Sequence, residues 1–252
     1  MHGDGTDIGG HRSAFPQTPA SAVLAARSDD PVARARGFAA LVSAYWKPVY
    51  KAVRVRFGKG NEEAKDLTQA FFAHALEREM FGSYDASRAR FRTFVRACLH
   101  NFVANSEEAS RRLKRGGGAV VLSLDFDEAE SEIHASALDA RSFEEEFDRE
   151  LVRSLNAMAV RELERCLAER GKELYFRIFA RYDLAEDAGA APTYAALARE
   201  LGIKVTDVTN YLAHARRELR RIVLEKLREI TASEEEFRDE AREILGVEVD
   251  GL

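Results

Sequence analysis

The chain of 252 residues contains only five prolines, two cysteines and six histidines, and each scarcity excludes a class of protein. Few prolines among abundant Ala, Leu, Arg and Glu favour an all-helical fold. Cys98 and Cys166 stand alone within helical patterns, which predicts buried thiols rather than a disulfide or a metal site. The histidines have no metal-ligand spacing, and the sequence contains neither a cofactor-binding loop nor a nucleophile paired with a base. We therefore predict a protein without a cofactor and without catalytic chemistry of its own.

Long apolar runs are also missing. No stretch approaches the roughly 20 residues that span a bilayer, and the N-terminus lacks the apolar core of a signal peptide. We therefore expect a cytoplasmic protein without a membrane span.

The formal net charge of -5 conceals a strong segregation of charge along the chain. Residues 86–115 and 199–228 are rich in Lys and Arg, whereas residues 119–150 and 232–252 are rich in Asp and Glu. Separate basic segments point to an anionic partner such as nucleic acid, even in a chain that is acidic as a whole.

Helical periodicity divides the chain into several segments. We predict helices over residues 21–26, 31–57, 62–80, 89–113, 147–170, 173–182 and 233–245, with a helix-turn-helix over residues 192–221.

The helix-turn-helix is the most informative of these segments. The apolar residues of the first helix, spaced to share one face, end at Leu201, and Gly202 permits the positive φ of a turn. A second apolar stripe begins at Val208. Lys204 stands where a capping Ser or Asp is usual. The outer face of the second helix suits base edges and phosphates, which marks Thr206, Asp207, Thr209, Asn210, His214, Arg216 and Arg217 as candidate DNA contacts. The alternative is an ordinary pair of packed helices.

A second helical block lies about a hundred residues upstream. Its last helix begins with alternating cationic and aromatic residues, a pattern that suits single-stranded DNA because aromatics stack on bases and arginines hold phosphates. An ordinary core with a solvated basic face is the alternative reading of these residues alone.

Taken together, these segments resemble the sigma-70 family of bacterial RNA polymerase sigma factors, and in particular its small extracytoplasmic-function group. Residues 63–69 are similar to the polymerase-binding motif, residues 91–94 to the strand-separating helix, and residues 193–219 to the helix-turn-helix that binds the minus-thirty-five element. The resemblance assigns polymerase binding to Asp66, Leu67, Gln69 and Phe72, of which Asp66, Gln69 and Phe72 are expected on one exposed edge. It assigns the minus-ten element to Ser83, Tyr84, Arg90, Phe91, Arg92, Phe94, Arg96, Asn101, Asn105, Arg111 and Arg112.

The resemblance also implies two small helical domains. We expect a flexible segment at 1–28, a polymerase-binding and minus-ten domain at 29–115, an acidic linker at 116–146, a minus-thirty-five domain at 147–230 and an acidic C-terminal helix and tail at 231–252. The linker either lies in the polymerase cleft as a mimic of nucleic acid or acts as a passive tether.

The implied function is transcription initiation: the chain would bind core RNA polymerase, direct it to promoter DNA and help to open the duplex. Two other readings remain. One is a helix-turn-helix regulator that binds DNA without polymerase, and the other is a degenerate sigma factor that occupies polymerase without initiating. An anti-sigma factor or a Ser/Thr kinase is a further expected partner. Lys65 and Ala70 interrupt the acidic patch of the polymerase-binding helix, so Thr68 is a candidate phosphorylation site, against the alternative of an ordinary helix residue.

Overall fold

The computed structural model of the chain describes residues 21–110, 124–135, 142–185 and 192–249, and these residues form helices and turns without a strand. The predicted all-α class is therefore confirmed for the described residues. The α-helices are α1 (Ala22–Ala25), α2 (Pro31–Lys51), α3 (Asn61–Glu77), α4 (Phe91–Ser110), α5 (Phe126–Ala135), α6 (Phe143–Glu169), α7 (Glu173–Asp183), α8 (Tyr194–Leu201), α9 (Val205–Glu229) and α10 (Glu234–Leu245). A π-helical turn (Ala52–Arg56) continues α2, and a 3-10 turn (Met80–Ser83) follows α3.

Side-chain caps fix the starts of several helices. The carboxylate of Asp30 accepts hydrogen bonds from the backbone N–H groups of Val32 at 3.0 Å and Ala33 at 3.3 Å, so it satisfies donors that have no partner inside α2. At the start of α6, the Ser142 hydroxyl accepts from the Glu145 N–H at 3.2 Å, and the Glu145 carboxylate accepts from the Ser142 N–H at 3.0 Å. This reciprocal pair starts α6 at Phe143, earlier than the predicted residue 147.

Two hydrophobic clusters form the interior, and two long helices contribute to both. One cluster unites α1 to α5, the start of α6, the end of α9 and α10, and the other unites the remaining parts of α6 and α9 with α7 and α8. Along α6 the change falls between Leu155 and Ala159, and along α9 it falls between Val223 and Leu224. The segments expected as two domains, 29–115 and 147–230, are thus connected through shared helices as well as through the acidic segment between them.

The acidic segment contains a helix that its sequence did not predict. We expected residues 116–146 to have little helical structure, but α5 occupies Phe126–Ala135. Its short apolar stripe packs Phe126 edge-on against the Trp46 ring, with centroids 5.6 Å apart, and buries Ala129. The opposing carboxylates of Glu130 and Glu132 contact Arg54 and Lys51 at 2.5 Å each. Tertiary packing and ion pairs onto α2 and its π-helical continuation therefore hold a segment whose local pattern is weak.

None of the helices in the described ranges combines the length and the apolar character needed to cross a lipid bilayer.

Candidate nucleic-acid interface

The predicted pair of helices around Gly202 is present. The Thr193 hydroxyl accepts from the Ala196 N–H at 3.2 Å and caps α8. Gly202 has φ +65°, a left-handed conformation that costs glycine little, and it ends α8 where the sequence predicted the turn. Leu197 of α8 and Leu212 of α9 are buried in the same cluster. The packed faces therefore fix how α9 presents its opposite face.

Asp207 has a structural task at the start of α9. The carboxylate accepts a hydrogen bond from the Lys204 N–H at 3.1 Å, which supplies the acidic half of a capping box. The Lys204 side chain offers no acceptor, so the capping hydrogen bond comes instead from Asp207, at the third position of the helix. An acidic residue at the third position is the feature of the sequence that indicates this cap. Asp207 is only half-buried, so its carboxylate still borders the surface predicted to contact DNA.

The outer face of α9 divides into a free part and a paired part. Thr206, Thr209, Asn210 and Arg217 are exposed, and no salt bridge engages Arg217 within the described part of the chain. Arg216 is also exposed, but its guanidinium makes two hydrogen bonds to the carboxylate of Asp183 on α7, at 2.9 and 2.7 Å. The structure therefore brings together the side chains predicted to contact base edges. One predicted phosphate contact, Arg216, is instead paired with Asp183.

His214 lies at the border of this face. Its ring packs edge-on against Tyr175, with centroids 5.2 Å apart, and its Nε2 lies 3.4 Å from the Nζ of Lys172. Burial, and then the positive charge of Lys172, lower the pKa of His214. The lowered pKa favours the neutral imidazole, which acts as a hydrogen-bonding group rather than as a cation.

The start of α4 differs from the expected open basic face. The sequence marked Arg90, Phe91, Arg92, Phe94 and Arg96 for contact with DNA. Phe91 is fully buried and Arg92 is only 4 % exposed, while the other three are partly covered. Successive side chains on a helix point about 100° apart, so these five residues cannot share one face, and Phe91 turns into the core.

Acidic residues from two distant helices surround these arginines. The Nε of Arg92 lies 2.8 Å from the carboxylate of Glu240, and Arg92 also pairs with Glu243 at 2.5 Å and with Asp148. Asp148 accepts a further hydrogen bond from Arg96 at 2.9 Å. Burial raises the pKa of Glu240, and the charge of Arg92 opposes that effect. The sequence pattern did not reveal these contacts, because more than fifty residues separate the partners.

The loop before α4 is also engaged. The Tyr84 ring is buried, and its hydroxyl lies 2.9 Å from the Ala89 carbonyl oxygen and 3.1 Å from the Glu236 carboxylate. The Ser83 side chain is exposed, and its hydroxyl donates to the Met80 carbonyl at 2.7 Å. Of the two residues predicted to contact the minus-ten element here, Ser83 is accessible and Tyr84 is a packing residue in this conformation.

Further along α4, Asn101 and Asn105 are both exposed and line one groove of about 440 Å³ with His74, Cys98 and Phe102. The structure therefore brings these two asparagines together, away from the paired arginines. Arg111 and Arg112 lie outside the described residues.

The predicted polymerase-binding edge on α3 is only partly present. Asp66 is exposed, and Leu67 and Gln69 are half-buried. The expectation that Phe72 would share this exposed edge is wrong, because Phe72 is fully buried against Phe71, with ring centroids 5.1 Å apart. Since α3 packs against both α2 and α4, two adjacent aromatic residues can both face the interior.

Thr68 is buried on the same helix. Its side chain has no exposed surface, and its hydroxyl has no hydrogen-bond partner within the described residues. A kinase could reach the hydroxyl only if α3 moved away from its neighbours. This burial favours the interpretation of Thr68 as a helix residue that packs in the core.

Comparison of the chain with protein-family models, with curated proteins and with solved structures gives no match.

Proposed function

We propose that the chain is a transcription initiation factor that binds core RNA polymerase, directs it to specific promoters and assists opening of the duplex. The observation that carries the proposal is the exposed face of α9, where Thr206, Thr209 and Asn210 form a polar surface on a helix fixed by a Gly202 turn. Such a helix fits the major groove and can present donors and acceptors to base edges. The proposal also rests on the resemblance of the α3 and α4 sequences to the polymerase-binding and strand-separating segments of sigma factors.

The division of labour on α9 follows from its contacts. Arg217 is free to reach a phosphate, whereas Arg216 must first leave Asp183. Contacts to phosphates position a protein, and contacts to base edges give specificity. We therefore assign promoter preference mainly to Thr206, Thr209 and Asn210 and assign non-specific affinity mainly to Arg217.

Polymerase binding is assigned to the exposed edge of α3. Asp66 offers an exposed carboxylate, and Leu67 and Gln69 offer an apolar side chain and an amide beside it. Charged and amide groups next to an apolar contact can act as anchors of an interface. Phe72 is left out of this assignment, since its ring is buried in the core.

The assignment is tested by co-elution of the purified chain with bacterial core RNA polymerase. We expect Asp66→Arg with Gln69→Ala to abolish co-elution, because both changes alter the surface of α3 without touching its buried side. Glu77→Arg is the matched control, since Glu77 is exposed at the far end of the same helix, and it should co-elute like the parent. Unimpaired co-elution of the double variant would remove the assignment.

A helix-turn-helix regulator that binds DNA without polymerase is the second candidate. One observation favours it: the arginines of α4 are paired with carboxylates of the same chain, whereas the polar face of α9 is uncovered. This candidate predicts a tight, specific complex between the free protein and duplex DNA at physiological salt. The initiation factor predicts weak, salt-sensitive binding until polymerase is present.

A further inference from the structure

We propose that α10 is an intramolecular competitor that covers the basic start of α4 and keeps single-stranded nucleic acid away from it. The inference deepens the proposed function, since it rests on α4 as the surface that holds the separated strand. α10, residues 234–245, is the element that must leave before that surface can act.

The contact between α10 and α4 is made by opposite charges. Arg90 lies 3.6 Å from Glu240 and 3.8 Å from Asp239, and it also pairs with Glu243. Arg92 pairs with the carboxylates of Glu240 and Glu243 at 2.8 and 2.5 Å. Arg90, just before α4, and Arg92, in its first turn, are therefore both paired with carboxylates of α10, and Arg92 also pairs with Asp148 of α6.

A further carboxylate of α10 lies at the N-terminus of α4. The Glu236 carboxylate accepts a hydrogen bond from the Phe91 N–H at 2.7 Å, where the backbone donors of the helix have no partner inside it. The positive end of a helix attracts anions, including phosphate groups. Glu236 thus holds the position that, together with Arg90 and Arg92, would suit the phosphates of a nucleic-acid strand.

The spacing of these acids matches such a role. Glu236, Asp239, Glu240 and Glu243 recur at intervals of three and four residues, so they lie along one stripe of α10 with about 5.4 Å of rise for each turn. Next to this stripe, Phe237 and Ala241 are fully buried, and the Arg228 guanidinium of α9 lies 4.2 Å from the Phe237 ring centre. α10 is therefore attached to α9 by apolar packing and faces α4 with carboxylates.

The buried ion pairs between α4 and α10 are not explained by a gain in folding stability alone. Arg92 and Glu240 are both almost fully buried, and the loss of hydration that burial imposes on such a pair can exceed its Coulomb attraction. Apolar residues of similar volume would hold two helices together at least as well. A charged contact has an advantage over an apolar one if a competing anion, such as a phosphate backbone, can replace the carboxylates.

The experiment measures binding of the free full-length chain to a fluorescent single-stranded DNA of mixed sequence, about 20 nucleotides long, by anisotropy at low salt. We expect Glu240→Gln with Glu243→Gln to bind about tenfold more tightly than the parent, and we expect the gain to shrink as salt rises. Adding Arg90→Gln to this variant should remove the gain. Glu235→Gln with Glu248→Gln is the matched control, because it removes the same charge near α10 from side chains that make no contact with α4 in the described structure. This control should bind DNA like the parent.

Circular dichroism and the melting temperature establish that each variant is folded. Glu243→Lys alone changes a side chain that is 51 % exposed, so it keeps the test valid if the double variant is unstable, and it should also strengthen binding. If Glu243→Lys and the double variant, where folded, bind DNA no more tightly than the parent, α10 is not a competitor.

This test is independent of polymerase. Tighter DNA binding by the variants would support the competitor even if the parent chain never bound core polymerase. Unchanged DNA binding would overturn the competitor even if the parent chain initiated transcription.

Discussion

Replacing Arg92 with Met tests whether the charge network between α4, α6 and α10 is as important to the fold as its burial indicates. Arg92 is 4 % exposed, and its side chain is the centre of contacts with Asp148, Glu240 and Glu243. Removing one partner of a buried ion pair usually costs about 3–5 kcal/mol, because the remaining charge is left buried without a partner.

The surroundings place Arg92→Met near the lower end of that range. Asp148 keeps Arg96 at 2.9 Å, and Glu240 keeps Arg90 at 3.6 Å, so neither acid loses all its compensation. We therefore expect a loss of about 3 kcal/mol in the free energy of unfolding, and a fall of roughly 6–12 °C in melting temperature for a protein of this size.

Urea unfolding followed by circular dichroism measures this loss as a shift of the midpoint at an unchanged slope. Arg92→Met with Glu240→Met should recover most of the stability, since an apolar pair can replace a buried ion pair. Arg165→Met is the control, because Arg165 pairs with Glu162 and Glu169 on the surface, and it should lose less than about 1 kcal/mol. A loss for Arg92→Met no larger than that of Arg165→Met would refute the reasoning.

Two further predictions concern single positions. Gly202→Ala should lower the free energy of unfolding by about 1 kcal/mol, because an Ala at φ +65° is strained although its Cβ meets no atom within 4 Å. Gly82→Ala, at a glycine without a positive φ whose added Cβ would make only an ordinary contact at 3.9 Å, should be close to neutral; equal losses in urea unfolding would contradict this. Thr68→Val should raise the free energy of unfolding by about 1 kcal/mol, because it removes a buried hydroxyl that has no hydrogen-bond partner among the described residues. Thr68→Ser keeps the hydroxyl and should not raise it, and a Val variant less stable than the parent would contradict this reasoning.

The sequence predicted most of the helices because each has its own apolar stripe and end signals. Gly202 ended α8 and Asp30 began α2 through interactions within a few residues, which a single sequence contains. The missed helix, α5, shows the limit. Its stripe is short, and the ion pairs from Glu130 and Glu132 that hold it reach residues about eighty positions earlier in the chain.

The candidate surfaces were predicted less well than the helices. The exposed polar face of α9 followed from periodicity, since Val208 and Leu212 had to face α8 and the positions between them had to face outward. The α4 face could not be predicted, because its acidic partners on α6 and α10 lie far away in the chain. Phe72 illustrates the same difficulty, since the sequence cannot show that α3 is covered on two sides.

Run-off transcription with purified core RNA polymerase on genomic fragments tests the central claim most directly. The account predicts specific transcripts that require the chain, that disappear with Asp66→Arg and Gln69→Ala, and that weaken on their own promoters with Asn210→Ala. The chain with Glu240→Gln and Glu243→Gln should be run in parallel, so that inhibition by α10 does not hide the activity. No transcript above core polymerase alone from any fragment, with either form of the chain, would contradict the proposed function.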